Sequence, residues 1–164
     1  MDIASLIVVA VGTWLAASFL QATLHMGLAH RPWGGLFFHA HVGCHHKNYQ
    51  QKYLSSASYI EDKLNLSPWF VLPVSLIIGA AYTVLPIEHF IVHVVVFCLS
   101  YLVHIYLHGQ YHVSETWLEH FAWFRRRRLL HYEHHLDMSC NFAVIDFFWD
   151  KLMGTFRDPR RSMR

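Results

Sequence analysis

The chain has 164 residues, enough for one domain spanning 1–164. It is 54% hydrophobic, and the apolar residues gather in a few long runs, which argues for a membrane protein over a soluble domain. A formal charge of +2 says little about partners, and no nucleic-acid partner is expected. Three cysteines, Cys44, Cys98 and Cys140, form no C-x-x-C pair, which argues against a disulfide framework and for a reducing, cytoplasm-facing setting.

In chain order, Met1-Asp2-Ile3 lacks the basic leader of a cleavable signal peptide, so the run Ile3 to Leu24 is expected to stay as a transmembrane helix. Gly12, Ala16 and Ala17 would let another helix approach it closely. Arg31-Pro32-Trp33-Gly34-Gly35 breaks the chain, and Leu36 to Lys47 is too short to span and suits the membrane interface. Asn48 to Asn65 is polar. Ser67-Pro68 opens a second apolar run to Leu85, with Pro73 as a candidate kink, and Ile87 to Leu107 follows as a third. Beyond His108 the chain turns amphipathic. Thr116-x-x-Glu119 has the form of a capping box, and Asn141 is a candidate cap for a last short helix ending at Gly154. The fold expected is all-α: about three transmembrane helices plus interfacial helices.

All 13 Lys and Arg residues fall in 31–63 and 125–164. The positive-inside rule then puts the N-terminus outside and both basic stretches in the cytoplasm. The membrane would be a bacterial inner membrane or the endoplasmic reticulum.

The chain carries 15 histidines, and imidazole is the commonest protein metal ligand. Under this topology four groups distant in sequence reach one membrane face: His25 and His30; His41, His45 and His46; His104 and His108; His131, His134 and His135. Separate surface histidines would have no reason to converge. On an α-helix, residues four apart lie about 40° apart and adjacent residues about 100°. His104 and His108 can thus share a face, as can His131 and His134. His41 and His45 would share one ion while His46 reaches another. Two adjacent pairs plus their spaced partners exceed the needs of one ion, which points to two metals, and imidazoles in this number suggest iron. No carboxylate follows the histidine spacing, so a Glu-x-x-His bundle is not expected.

With this histidine pattern on the page, the sequence resembles the fatty acid hydroxylase superfamily, which includes sterol desaturases, sterol methyl oxidases and fatty acid 2-hydroxylases. The pattern is H-x4-H, H-x(2–3)-H-H, H-x3-H and H-x2-H-H, covering about His25 to Pro159. Gly43-Cys44-His45-His46 is similar to the G-C-H-H of fatty acid 2-hydroxylases. Asn141-Phe142, Phe148-Trp149-Asp150 and Gly154-Thr155 resemble the family's ending. The small size is also similar to that of bacterial carotenoid hydroxylases. The resemblance implies a membrane oxygenase with two iron ions, O2 as co-substrate, and electrons from a separate donor such as cytochrome b5 or ferredoxin. Zinc can substitute on overexpression. The substrate implied is lipid-like: a fatty acyl chain, a sterol or hopanoid, or a carotenoid. Two features depart from the family. Three residues separate His41 from His45 where the 2-hydroxylases have two, leaving Val42 at the expected ligand position, and three spans are visible instead of four. A rotation or bulge near Gly43 is expected to bring His41 into the missing ligand's place.

His39 is the alternative to His41. His112 continues the four-residue spacing from His108 and, with His39, Asn141 and Asp150, is a candidate for contacts just outside the ligands. Asp146 shares that candidacy, with packing or ion pairing as the alternative. His89 suits an interface anchor, His93 a hydrogen bond between helices, and His120 a structural role. Trp14, Trp33 and Trp69 suit interface belts. Arg125 to Arg128 suit either an anchor at the membrane surface or a dock for an acidic donor or lipid phosphates. Desaturation on the same scaffold is the nearest alternative activity. A haem-binding electron carrier would need paired histidines at mid-membrane, and a metal transporter would need polar groups across the bilayer.

Overall fold

The structure is a computed structural model that describes residues 2–60 and 67–159. Met1, Lys63 and Arg160, and the side chains of Trp69 and Pro73, lie outside what it describes. Among the described residues the chain is helical, with one isolated β-bridge between Ser56 and Val113.

Helix α1 (Ile3–Leu24) starts where the Asp2 carboxylate accepts the Ala4 amide proton at 3.1 Å, satisfying one of the free donors of the first turn. It continues as a π-helical segment, His25–Ala29. A 3₁₀ turn (Pro32–Gly34) follows, where a Cβ on Gly34 would fall 1.9 Å from the Leu28 carbonyl oxygen, so only glycine lets the chain double back this closely. Next come α2 (Leu36–Phe38), a second π-helical segment (His39–His45) and α3 (His46–Asn48). Helix α4 (Ser67–Val84) turns at Leu85-Pro86 into α5 (Ile87–Tyr111). A 3₁₀ turn (Trp117–His120), α6 (Ala122–Leu136) and α7 (Phe148–Met153) complete the chain.

Among the described residues two helices, Ile3–Ala29 and Ile87–Tyr111, are long and apolar enough to cross a membrane. Their outer faces are bare hydrocarbon, with Val8 70% and Val95 59% exposed, which water penalises and lipid does not. Helix α4 is apolar over Val74–Val84.

Helices α1 and α5 pack along their length, and three side-chain hydrogen bonds set their direction. Ser5 meets His89 at 2.9 Å, Thr13 meets His93 at 2.9 Å, and Gln21 donates to Ser100 at 3.3 Å. The numbers rise together, so the helices run parallel and α4 carries the chain back between them. His93 thus bonds between helices, as its sequence position suggested. His89 and Trp14, expected as interface anchors, also make bonds across elements: Trp14 donates to Asp146 at 3.0 Å.

The packed core lies beside the ends of α1 and α5. Leu107, Tyr111, Leu118, Phe124 and Val144 form one cluster, and Ala22, Leu130, Ala143 and Phe147 another. Helix α6 turns Phe124, Leu130, His131, His134 and His135 inward. Its arginines are engaged: Arg126 with Asp158, Arg127 with Asp146, Arg128 with Glu119, and Arg125 with the Glu119 carbonyl. Thr116 caps the 3₁₀ turn by accepting from Leu118, but Glu119 pairs with Arg128 instead of closing a capping box. Gly154, at φ 71°, ends α7 in the left-handed conformation glycine favours. Asn141 does not cap α7, whose first turn follows Phe147.

Candidate metal centre

Two groups of histidine nitrogens lie beside each other beneath the ends of α1 and α5. In the first, one ring nitrogen each of His25, His30, His41, His46 and His134 lies within 4.8 Å of the others. In the second, His45, His108, His112 and His131 do the same. His135 joins the second group, its Nε2 3.2 Å from Nε2 of both His45 and His131. The groups share a wall, where His46 stacks on His135 with ring centroids 4.1 Å apart.

The π-helical segments explain how the first group closes. Residues five apart lie about 140° apart on an α-helix, so His25 and His30 would diverge, as would His41 and His46. A π turn widens the helix by one residue and brings positions five apart onto one face. The His46 amide donates to the His41 carbonyl, the five-residue bond of such a turn. The two Nε2 atoms are then 3.1 Å apart, as are those of His25 and His30. The expected bulge near Gly43 is therefore present, and it overturns one pairing: His41 shares a group with His46, while His45 turns to the other. On α6, which is regular, His131 and His135 face one group and His134 the other.

Hydrogen bonds from the far side of the rings fix their orientation. His25 Nδ1 donates to the Phe142 carbonyl at 2.5 Å and His134 Nδ1 to that of Cys140 at 2.7 Å. His135 Nδ1 donates to Tyr49 at 3.0 Å and His112 Nδ1 to Leu54 at 2.7 Å. With the proton held on Nδ1, each Nε2 presents a bare lone pair to the group's centre. Lone pairs aimed at one another repel unless a cation stands between them. Nδ1 of His45 and His131 and Nε2 of His108 and His134 are buried without a hydrogen-bond partner among the described residues. The Nε2 separations of 2.7–3.2 Å match ligands about 3 Å apart around an ion held at about 2.1 Å. The residues fit a metal ion at each centre.

Burial keeps these imidazoles neutral, the form that ligates. Desolvation holds His30 down to about 2, His46 to about 3 and His112 to about 4. It also holds His41, His45, His131, His134 and His135 well below the ordinary value, with neighbouring imidazoles adding to the effect.

The other expected residues divide. His112, placed outside the ligands by sequence, is fully buried and belongs to the second group. His104 belongs to neither group: its ring centroid is 6.0 Å from that of His108. His39 and His120 are exposed, and His39 packs against Gly43. Cys44 lies in neither group. Asn141 and Asp150 touch no imidazole by hydrogen bond. They shape the loop whose carbonyls do. Asn141, at φ 52°, holds Leu130 and Arg157 through its amide. Asp150 accepts the amides of Phe142 at 2.7 Å and Ala143 at 2.9 Å and the Thr155 hydroxyl at 2.7 Å. Burial pushes the Asp150 carboxyl upward against these three bonds. Asp146 serves Trp14 and Arg127, not the histidines. The four backbone carbonyls were invisible beforehand, because no side-chain pattern marks a backbone acceptor.

A cavity of about 730 Å³ adjoins both groups. His25, His41, His104 and His108 border one end, and the remaining lining is mainly apolar, from Ala17, Leu20 and Leu24 of α1 to Val74 and Ile77 of α4 and Phe97 of α5. No two histidines face each other at mid-membrane among the described residues, since His93 is bonded to Thr13.

Fold and site together define a helical, membrane-associated protein with histidine-only groups that could hold metal ions next to an apolar cavity. The family model for fatty acid hydroxylase matches residues 10–155, and the chain belongs to that family. No curated protein and no solved structure matches it.

Proposed function

We propose that the protein is an O2-dependent membrane hydroxylase that inserts oxygen into a C–H bond of a lipid-like substrate, using two iron ions. The observation that carries this reading is the pair of five-histidine groups at the end of an apolar cavity. His25, His30, His41, His46 and His134 would hold one ion, and His45, His108, His112, His131 and His135 the other. Bound there, iron supplies O2 activation; the overall reaction consumes O2, two electrons and two protons and yields the alcohol and water. Electrons come from a separate carrier such as cytochrome b5 or ferredoxin.

The chain's own part is positional. The carbonyls of Tyr49, Leu54, Cys140 and Phe142 hold four rings in one tautomer, so little reorganisation is needed when charge changes at the site. Ala17, Leu20, Leu24 and Ile77 hold hydrocarbon and keep water from it. His25, His41 and His108 are the proposed ligands that border the cavity, so the reacting carbon lies against them. The chain crosses the membrane three times with its N-terminus outside, placing the histidines at the cytoplasmic face.

Purified protein made with ample iron should hold about two iron ions per chain. Lipid extracts from a host expressing it should contain a hydroxylated lipid that is missing with His131→Ala. One ion at full activity would overturn the binuclear site, and a desaturated product in place of an alcohol would overturn hydroxylation.

A further inference from the structure

The cavity has a direction. Helices α1 and α4 both pack on α5, and the cavity is lined by residues of all three. Ala17 lies eight residues before His25, and Phe97 seven before His104, so it extends about 10–12 Å from the histidine tier along the helices. Helix α1 needs all of Ile3 to Leu24 to cross a hydrocarbon layer of about 30 Å. The cavity therefore stays within the half of the bilayer nearest the histidines. Cys98, Tyr101 and Leu102 line it while also being exposed on the flank of α5, so its opening faces sideways into lipid. Its far end, formed by Ala17, Leu20, Val74, Ile77 and Phe97, has no polar side-chain atom. Its polar lining is concentrated at the histidine end, apart from Gln21, already bonded to Ser100, and the Cys98 thiol and Tyr101 hydroxyl on the exposed flank of α5.

From this shape we infer that the substrate is an amphiphile of the histidine-side leaflet. It enters sideways and lies with its polar end at the histidine tier and its hydrocarbon toward the bilayer centre. Oxidation then falls on a carbon close to the polar end, not at the methyl terminus. The reverse pose would strand a polar group in the apolar far end, where nothing compensates its lost hydration. The inference rests on the hydroxylase reading for its chemistry but not for its geometry.

Photolabelling tests the pose without turnover. The full chain in phosphatidylcholine vesicles is irradiated with palmitic acid carrying a diazirine either beside the carboxyl or beside the terminal methyl, and the labelled peptides are mapped. The methyl-end probe should mark the segments around Ala17–Leu20 and Phe97–Leu102. The carboxyl-end probe should mark Leu28–His41. Excess unlabelled palmitate should suppress both. Ile77→Trp, which fills the far end, should lose the suppressible methyl-end labelling, and Ile77→Ala should keep it. An exchanged pattern overturns the orientation, and labelling that palmitate does not suppress overturns the cavity as the binding place. Product analysis of iron-loaded protein separates the two readings. An alcohol at the methyl end overturns the pose alone, whereas correct labelling with no oxidised lipid overturns the hydroxylase reading alone.

Discussion

His112 sits between Tyr49, whose ring stacks on it with centroids 3.9 Å apart, and His131, whose Nε2 is 3.0 Å from its own. Its Nδ1–H donates to the Leu54 carbonyl, so its free nitrogen points at the second group, as a ligand's would. His104, the residue that spacing alone favours, stands one turn further into the membrane beside the cavity. His112→Ala should therefore lose about half of the bound metal, while His104→Ala retains both ions and changes substrate handling. Metal content by elemental analysis decides between them, and the opposite result would restore His104 as the ligand. Acid should act through the same burial. Unfolded imidazoles protonate near 6.5, whereas folded His46 and His112 resist until about 3 and about 4. Between those values the unfolded chain binds more protons, so stability decreases as pH falls. Chelator-treated protein should lose stability steadily from about pH 6.5 toward pH 4, by at most about 1.4 kcal/mol per pH unit for each such group. Denaturant titrations in detergent at several pH values measure this, and a flat profile would contradict it.

The second π-helical segment, His39–His45, accounts for the spacing that sets this chain apart from the fatty acid 2-hydroxylases it resembles. A π turn is an α-helix with one residue inserted. Removing one residue between His41 and His45 would leave H-x2-H-H, in which the first and last histidines are four apart and share a face on an ordinary helix. Deleting Val42 should therefore preserve both metal ions. Inserting an alanine after Val42 should lose the ion of the first group, because positions six apart fall on neither kind of turn. Metal counts on the two variants distinguish a built-in register from a tolerant loop.

Across the whole molecule, the parallel course of α1 and α5 matters most, because it brings the histidine-bearing ends of both helices, His25 and His104 to His108, to the same end of the bundle. The bonds Ser5–His89, Thr13–His93 and Gln21–Ser100 keep that register, each worth about 0.6 kcal/mol inside a membrane. In the proposed three-span topology the two chain ends lie on opposite faces. A cysteine placed near Met1 should react with an impermeant maleimide added outside sealed cells, and one near Arg160 only after permeabilisation. The reverse would move the histidines to the outer face. His93→Leu should lower stability by about 1 kcal/mol or less and leave metal content unchanged, as expected of a residue that joins helices and does not ligate.

Much of this protein can be read from side-chain identity and period. Apolar runs report length directly against bilayer thickness, so Ile3 to Leu24 and Ile87 to Leu107 announce themselves. Adjacent histidines must diverge on any helix, so His45–His46 and His134–His135 signal two centres before any geometry is known. Tertiary structure decided which nitrogen faces which centre. Backbone hydrogen bonding chose a π turn over an α turn at His41, which no side-chain period encodes and which exchanged the expected partners of His41. Packing beneath Tyr49 placed His112, not His104, in the second group. The acceptors that orient the rings are carbonyls of Tyr49, Leu54, Cys140 and Phe142, and every residue has a carbonyl, so only the folded path of the chain could single out those four.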